Sequence, residues 1–120
     1  MKTLVLGASF NTDRFSNKVI VKLIDSGHEV FAIGSKKGKI SEVFIHNHFL
    51  PLKNVHTVTI YLSKKIQKLY YDYIVSLRPK RVLFNPGAEN IELSNVLNKQ
   101  GIYWENSCTL VLLSTNQYET

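Results

Sequence analysis

The sequence predicts a doubly wound α/β domain: an open, mostly parallel sheet with helices on both faces, in three layers. Three observations predict it. Short apolar runs bounded by glycine or proline turns alternate with amphipathic stretches of helical spacing along the chain, without internal repeats or low-complexity tracts. The first apolar run is followed by a glycine turn and then a helical pattern, the opening of a βαβ unit. A length of 120 residues is enough for one core and leaves little room for a second, so residues 1–120 are read as one domain.

Residues 2–6 form the first strand, with Leu4, Val5 and Leu6 as a buried apolar run ended by Gly7. Asn11, Thr12, Asp13 and Ser16 offer capping oxygens ahead of a helix carrying Val19, Ile20, Leu23 and Ile24 on one face. Gly27 closes that helix, at the position where a left-handed backbone favours glycine. Glu29–Ile33 is the second strand, and its crossover from the first is expected to be right-handed. Gly34 to Lys39 reads as a loop, and Val43-Phe44-Ile45 as a short strand within the less regular residues 34–54.

Val55–Leu62 has the β-branched content of a strand. Ser63 is placed to cap the next helix, where Ile66, Leu69, Tyr70, Tyr73, Ile74 and Leu77 fall at helical spacing before Pro79. Arg81–Phe84 is a buried strand and Asn85-Pro86-Gly87 its turn. Ala88–Gln100 follows as a helix ended by Gly101, then Ile102–Glu105 as the last strand. The apolar stretch Leu110–Leu113 suits a helix or a strand equally.

Sheets of this kind bind ligands beyond the carboxyl ends of their strands, which directs attention to the turns at 7–11, 34–39, 61–64 and 85–89. In the first, Gly7-Ala8-Ser9-Phe10-Asn11 precedes a helix, the arrangement that points backbone N–H groups and the positive end of a helix dipole at a phosphate. Gly7 allows close backbone approach, and Ser9 and Asn11 add a hydroxyl and an amide. The spaced three-glycine dinucleotide fingerprint is incomplete here. The second turn, Gly34-Ser35-Lys36-Lys37-Gly38-Lys39, lacks the carboxylate that an NAD ribose requires. Its lysines suit an additional phosphate, as on the ribose of coenzyme A or of NADP, and do not separate those two.

At the third turn Tyr61 either flanks a ligand or caps the core, with Ser63, Lys64 and Lys65 beside it. The fourth, Asn85-Pro86-Gly87-Ala88-Glu89, opens a helix toward the same edge, and its amides are placed to hold a second polar part of the ligand. Glu89 suits the helix N-terminus electrostatically.

Composition excludes several classes. The single cysteine, Cys108, rules out an internal disulfide or a multi-cysteine zinc site. Without a histidine neighbour in sequence, it reads as a small buried side chain. His28, His46, His48 and His56 have no HExxH spacing, and His46 and His48 read as surface imidazoles; no metal site is expected. The net charge of +6 comes from short clusters of lysine and arginine without interleaved stacking aromatics, so nucleic acid is not expected as a partner. No apolar run approaches the roughly 20 residues of a membrane span, and no signal peptide is read at the N-terminus, so cytoplasmic location is the expectation. No nucleophile, base and orienting group cluster in the sequence, so catalysis is not expected.

With these residues in hand, the chain resembles the small stand-alone CoA-binding domain proteins, related in fold to the nucleotide-binding domain of the succinyl-CoA synthetase alpha subunit. The likeness spans nearly the whole chain. It rests on Gly7-Ala8-Ser9-x-Asn11 with Arg14 and Ser16, the Val30–Ile33 strand, Phe84-Asn85-Pro86-Gly87, the helix to Gly101-Ile102, and Asn106-Ser107-Cys108-Thr109-Leu110.

The resemblance implies a Rossmann-like fold holding coenzyme A or an acyl-CoA, with pyrophosphate on Gly7, Ala8, Ser9, Asn11 and Arg14 and the adenosine end near Gly34 to Lys37. Gly34-Ser35 stands where many relatives have Asn-Pro, and His56-Thr57 where an acidic residue is common. The family implies no defined reaction. The resulting expectation is a binding protein for a small nucleotide ligand. The alternatives are an NADP-binding oxidoreductase or sensor, and an interaction module of a larger acyl-CoA enzyme system.

Overall fold

Leu4, Val5 and Leu6 are fully buried at the centre of a sheet, within β1 (Thr3–Ala8) of a computed structural model that describes residues 1–119. The chain continues through α1 (Phe15–Asp25), β2 (Val30–Gly34), β3 (Gly38–Ile40), β4 (Val43–His46) and β5 (Thr57–Ile60). It goes on through α2 (Lys64–Gln67), a 3-10 turn (Lys68–Tyr70), α3 (Tyr71–Leu77), β6 (Arg81–Phe84), α4 (Ile91–Lys99), β7 (Trp104–Asn106) and α5 (Thr109–Ser114). Among the described residues the strands form one sheet in the order β3-β4-β2-β1-β5-β6-β7. Every pairing is parallel except that of β3 with β4. The fold is the Rossmann-like α/β arrangement, and the direction of winding reverses between β1 and β5.

The period-two alternation of strand side chains divides the core between the two faces. Leu4, Leu6, Val58, Ile60, Val82 and Phe84 pack with Ile74 of α3 and with Leu93 and Leu97 of α4. Val5, Ala32, Ile45 and Leu83 pack with Val19, Ile20 and Leu23 of α1 and with Leu113 of α5. α1 ends as expected: the Gly27 N–H donates to Ile24 O and the His28 N–H to Leu23 O, at 2.9 and 3.0 Å, with Gly27 at φ +83°. This is the paired-bond glycine cap.

Four expectations about the elements are corrected. The first strand runs on to Ala8, so Gly7 and Ala8 belong to it and the turn starts later. Residues 34–39 are not all loop, because β3 pairs with β4 with Ile40 opposite Val43. The intervening Ser41 supplies the left-handed turn (φ +54°) without a glycine to announce it. The helix predicted after Ser63 is broken into α2, the 3-10 turn and α3, because Gln67 turns inward and is fully buried. The helix predicted from Ala88 starts at Ile91, where the Asn90 side chain accepts the Leu93 N–H at 3.2 Å. Residues 109–114, open between helix and strand in the sequence, are helical. No helix of the described residues is long and apolar enough to cross a membrane.

Candidate functional site

The site is built on an irregularity at the end of β1. Leu6 pairs with Ile33 and Ala8 with Gly34, so Gly7 is an extra residue, a bulge at φ +93°. The bulge turns Ala8 onto the face of α1 instead of the face of Leu4 and Leu6. A Cβ on Gly7 would lie 3.1 Å from both the Tyr61 carbonyl carbon and a Leu62 methyl, and one on Gly34 only 2.5 Å from Ala8 O. Both glycines thus let the ends of β1, β2 and β5 close on one another.

Beyond the bulge the loop is held by its own polar groups. The Asn11 N–H donates to Ser9 Oγ at 3.1 Å and the Asp13 N–H to Asn11 Oδ1 at 2.9 Å. Asn17 Nδ2 donates to Ser9 O at 3.0 Å, tying the loop to α1. Phe10 lies over Gly38, where a Cβ would meet its ring at 2.7 Å, and so links the first turn to β3.

Arg14 occupies the N-cap of α1 in an extended conformation, with no side-chain cap and no acidic residue in the first helical turn. The Asn17 and Lys18 N–H groups both bond to Arg14 O. The Phe15 and Ser16 N–H groups precede the intrahelical ladder, and both residues border the cleft described next. The helix therefore presents its positive end with no carboxylate in its first turn, Asp13 standing just before the N-cap.

A cleft of about 800 Å³ opens there, at the carboxyl ends of the strands. Of the residues singled out from the sequence, Gly7, Ala8, Ser9, Asn11 and Arg14 border it from the first turn. Gly34, Ser35 and Lys36 border it from the second, with Tyr61 and Pro86 from the third and fourth. Among the described residues no aspartate or glutamate lines it, whereas Arg14 and Lys36 do.

The structure does not bring Lys37, Asn85 or Gly87 to the cleft wall. Asn85 is buried and its amide is engaged within the fold: Nδ2 donates to Thr59 Oγ1 at 2.7 Å and Ile60 O at 3.0 Å, and Oδ1 accepts the Thr109 N–H at 2.9 Å. It clamps β5, β6 and the start of α5 together. The Gly87 N–H is bonded to Glu89 Oε1 at 2.8 Å, which keeps that carboxylate within its own turn.

Tyr61 borders the cleft while packing on the core beside α1. Burial pushes its hydroxyl far above the usual phenol range, and Oη makes no hydrogen bond of good geometry among the described residues.

Sequence reasoning missed Phe15, Ile66 and Tyr70 as cleft residues. Helical spacing assigned Ile66 and Tyr70 to a core-facing stripe; Ile66 is instead exposed at the cleft, while Tyr70 borders the cleft and still packs on the core. His46 and His48 meet edge to face, ring centroids 5.4 Å apart. Cys108 is half-buried at the N-cap of α5 and does not border the cleft. No group of three or more His, Cys, Asp or Glu able to hold a metal occurs among the described residues.

The profile of a family described as "CoA binding domain" matches residues 1–114. The chain belongs to the CoA binding domain family. Solved structures place it among small proteins of the same fold. A crystal structure of an uncharacterized protein is 43% identical with a TM-score of 0.93, over 97% of this chain and 96% of that one. A Thermus thermophilus protein is 18% identical (TM-score 0.85, 97% of this chain, 89% of that one). A hypothetical protein from Pyrococcus horikoshii OT3 is 20% identical (TM-score 0.85, 94% and 81%). These last two speak for the fold alone. None of the curated proteins compared matches the chain.

Proposed function

We propose that this domain binds coenzyme A or an acyl-CoA across the carboxyl edge of its sheet and performs no chemistry on it. The observation that carries the reading is the positive end of α1, with no acidic residue in its first turn, opening on a cleft lined by Arg14 and Lys36 without a carboxylate. Membership of the family supports the same ligand.

The donor set suits a polyphosphate. The backbone of residues 7–11 and the first turn of α1 would hold the pyrophosphate, and Arg14 would add charge-assisted hydrogen bonds. Lys36, beyond β2, would meet the phosphate on the ribose. The missing second and third glycines of the dinucleotide pattern then reflect a different ligand, whose phosphates rest on a bulge and a helix end. Coenzyme A would bring its thiol as the group-carrying atom. The protein's part would be to bind and orient it.

A second reading, an NADP-binding oxidoreductase or sensor, draws on the same Lys36, because a ribose phosphate would also satisfy it. Titration calorimetry with coenzyme A, dephospho-CoA, NAD and NADP separates the two. Coenzyme A is expected to bind most tightly. Binding of NADP without binding of coenzyme A would overturn the proposal.

A further inference from the structure

We infer that the cleft selects coenzyme A thioesters carrying an apolar acyl chain of medium length over free coenzyme A; the inference rests on the ligand proposed above and names the class of thioester. The strand order supplies the geometry. β2 lies on one side of β1, and β5 and β6 lie on the other. A ligand with its phosphates on the first turn and a ribose phosphate at Lys36 therefore extends its opposite end toward the residues after β5 and β6.

The lining there is largely apolar. Leu62, Ile66 and Tyr70 border the cleft after β5, with Ser63 among them, and Phe15 borders it from the start of α1. Ile66 is 46% exposed and Phe15 58% exposed, although both lie on a cleft wall. Large apolar side chains left wet on a concave surface gain when a ligand covers them. A bare thiol covers little of this surface. A run of methylenes covers more, and each one fully withdrawn from water strengthens binding about fourfold.

The wall is also firm. Phe49 meets the Tyr70 ring edge to face at 5.2 Å and stacks on Tyr73 at 4.6 Å. Gln67, next to Ile66, donates from Nε2 to Leu62 O and Ala88 O, each at 2.8 Å. These contacts fix α2 with Ile66 outward. A preformed apolar wall continuous with a cationic phosphate cradle matches an amphiphile with a charged head and an apolar tail.

The test compares coenzyme A, acetyl-CoA and octanoyl-CoA by titration calorimetry, on the unaltered protein and on Ile66→Ser and Phe15→Ser. Ile91→Ser, an exposed apolar site that does not line the cleft, is the control for unspecific adsorption. Octanoyl-CoA is expected to bind about tenfold or more tighter than acetyl-CoA, since only part of the chain is covered. Both cleft variants should reduce that ratio at least about threefold, and Ile91→Ser should not. Circular dichroism melts confirm that each variant is folded, as expected for exposed positions.

Equal affinity for all three ligands would overturn this inference and leave coenzyme A binding standing. An octanoyl advantage unchanged in both cleft variants would also overturn it. Failure of every coenzyme A species to bind would remove the underlying reading and this inference together.

Discussion

Adjacent lysines of like chemistry are separated by the backbone. Lys36 borders the cleft and Lys37 does not, although the sequence offered them as a pair. The difference follows from the turn after β2, which presents successive side chains in different directions. Lys36→Glu is therefore expected to weaken coenzyme A binding about tenfold at low ionic strength and dephospho-CoA binding far less, with the effect shrinking as salt is added. Lys37→Glu should change either affinity by about twofold at most. Calorimetry with the two ligands and two variants measures this, and equal weakening of both ligands by Lys36→Glu would remove that residue from the ribose phosphate. Asn85 is the opposite case. It stands in a turn at the right edge of the sheet, but both donors and the carbonyl oxygen of its amide are used to join β5, β6 and α5.

The decisive element is the broken helix after β5. A continuous helix from Ser63 to Pro79 would have kept Ile66, Tyr70 and Tyr73 on one stripe. Instead Gln67 is drawn into the core and connects three segments: its Nε2 bonds Leu62 O and Ala88 O, while its Oε1 accepts from Asn90 Nδ2 at 2.9 Å. Asn90 in turn caps α4, so one buried amide sets the position of α2 and supports the start of α4. Replacing it with an isosteric apolar residue leaves two carbonyls and one of the two Asn90 amide N–H groups without partners, the other keeping Tyr71 Oη at 2.9 Å. Gln67→Leu is expected to cost about 3 kcal/mol of stability, from the penalty for unmet buried polar groups. Chemical denaturation checks this, and a loss below about 1 kcal/mol would mean that water replaces the lost bonds.

Across the whole molecule, charge is arranged at both ends of the sheet. At the edge opposite the cleft, Tyr118 is buried against β1 and β6, with its ring under the Arg81 guanidinium at 4.6 Å and beside His28 at 5.0 Å. The Met1 ammonium donates to His28 Nδ1 at 2.8 Å, which leaves Nε2–H to face Glu119 at 3.3 Å. Burial, then the Met1 ammonium, holds the His28 imidazole below its usual value, with Arg81 adding to the lowering and Glu119 opposing it. Burial, then Arg81, lowers His56 in the same way.

The folded protein therefore takes up protons at these sites less readily than the unfolded chain. Their contribution to stability is complete above the unfolded histidine value near pH ~6.5 and is lost as pH falls through the lower folded values. Thermal melts should show a Tm level near neutral pH and declining below about pH 6. His28→Gln should flatten part of that slope. A Tm that rises on acidification through this window would contradict the assignment.

The alternation of strand and helix, the buried runs at Leu4–Leu6 and Arg81–Phe84, and the glycine cap at Gly27 were legible in the sequence. Each is a local signal: apolar periodicity, β-branched content, or a backbone conformation that glycine tolerates. The family likeness was legible too, because it rests on residues in fixed order. The tertiary structure decided what depends on residues distant in the chain. It set the bulge at Gly7 against Tyr61 and Leu62, and the hairpin of β3 and β4. It drew Gln67 inward, and gathered Phe15, Ile66 and Tyr70 around one cleft. Gly7-Ala8-Ser9-Phe10-Asn11 announced a cradle for an anion. The apolar wall facing it exists only because helices from both faces of the sheet meet at the same edge, a juxtaposition that no local spacing encodes.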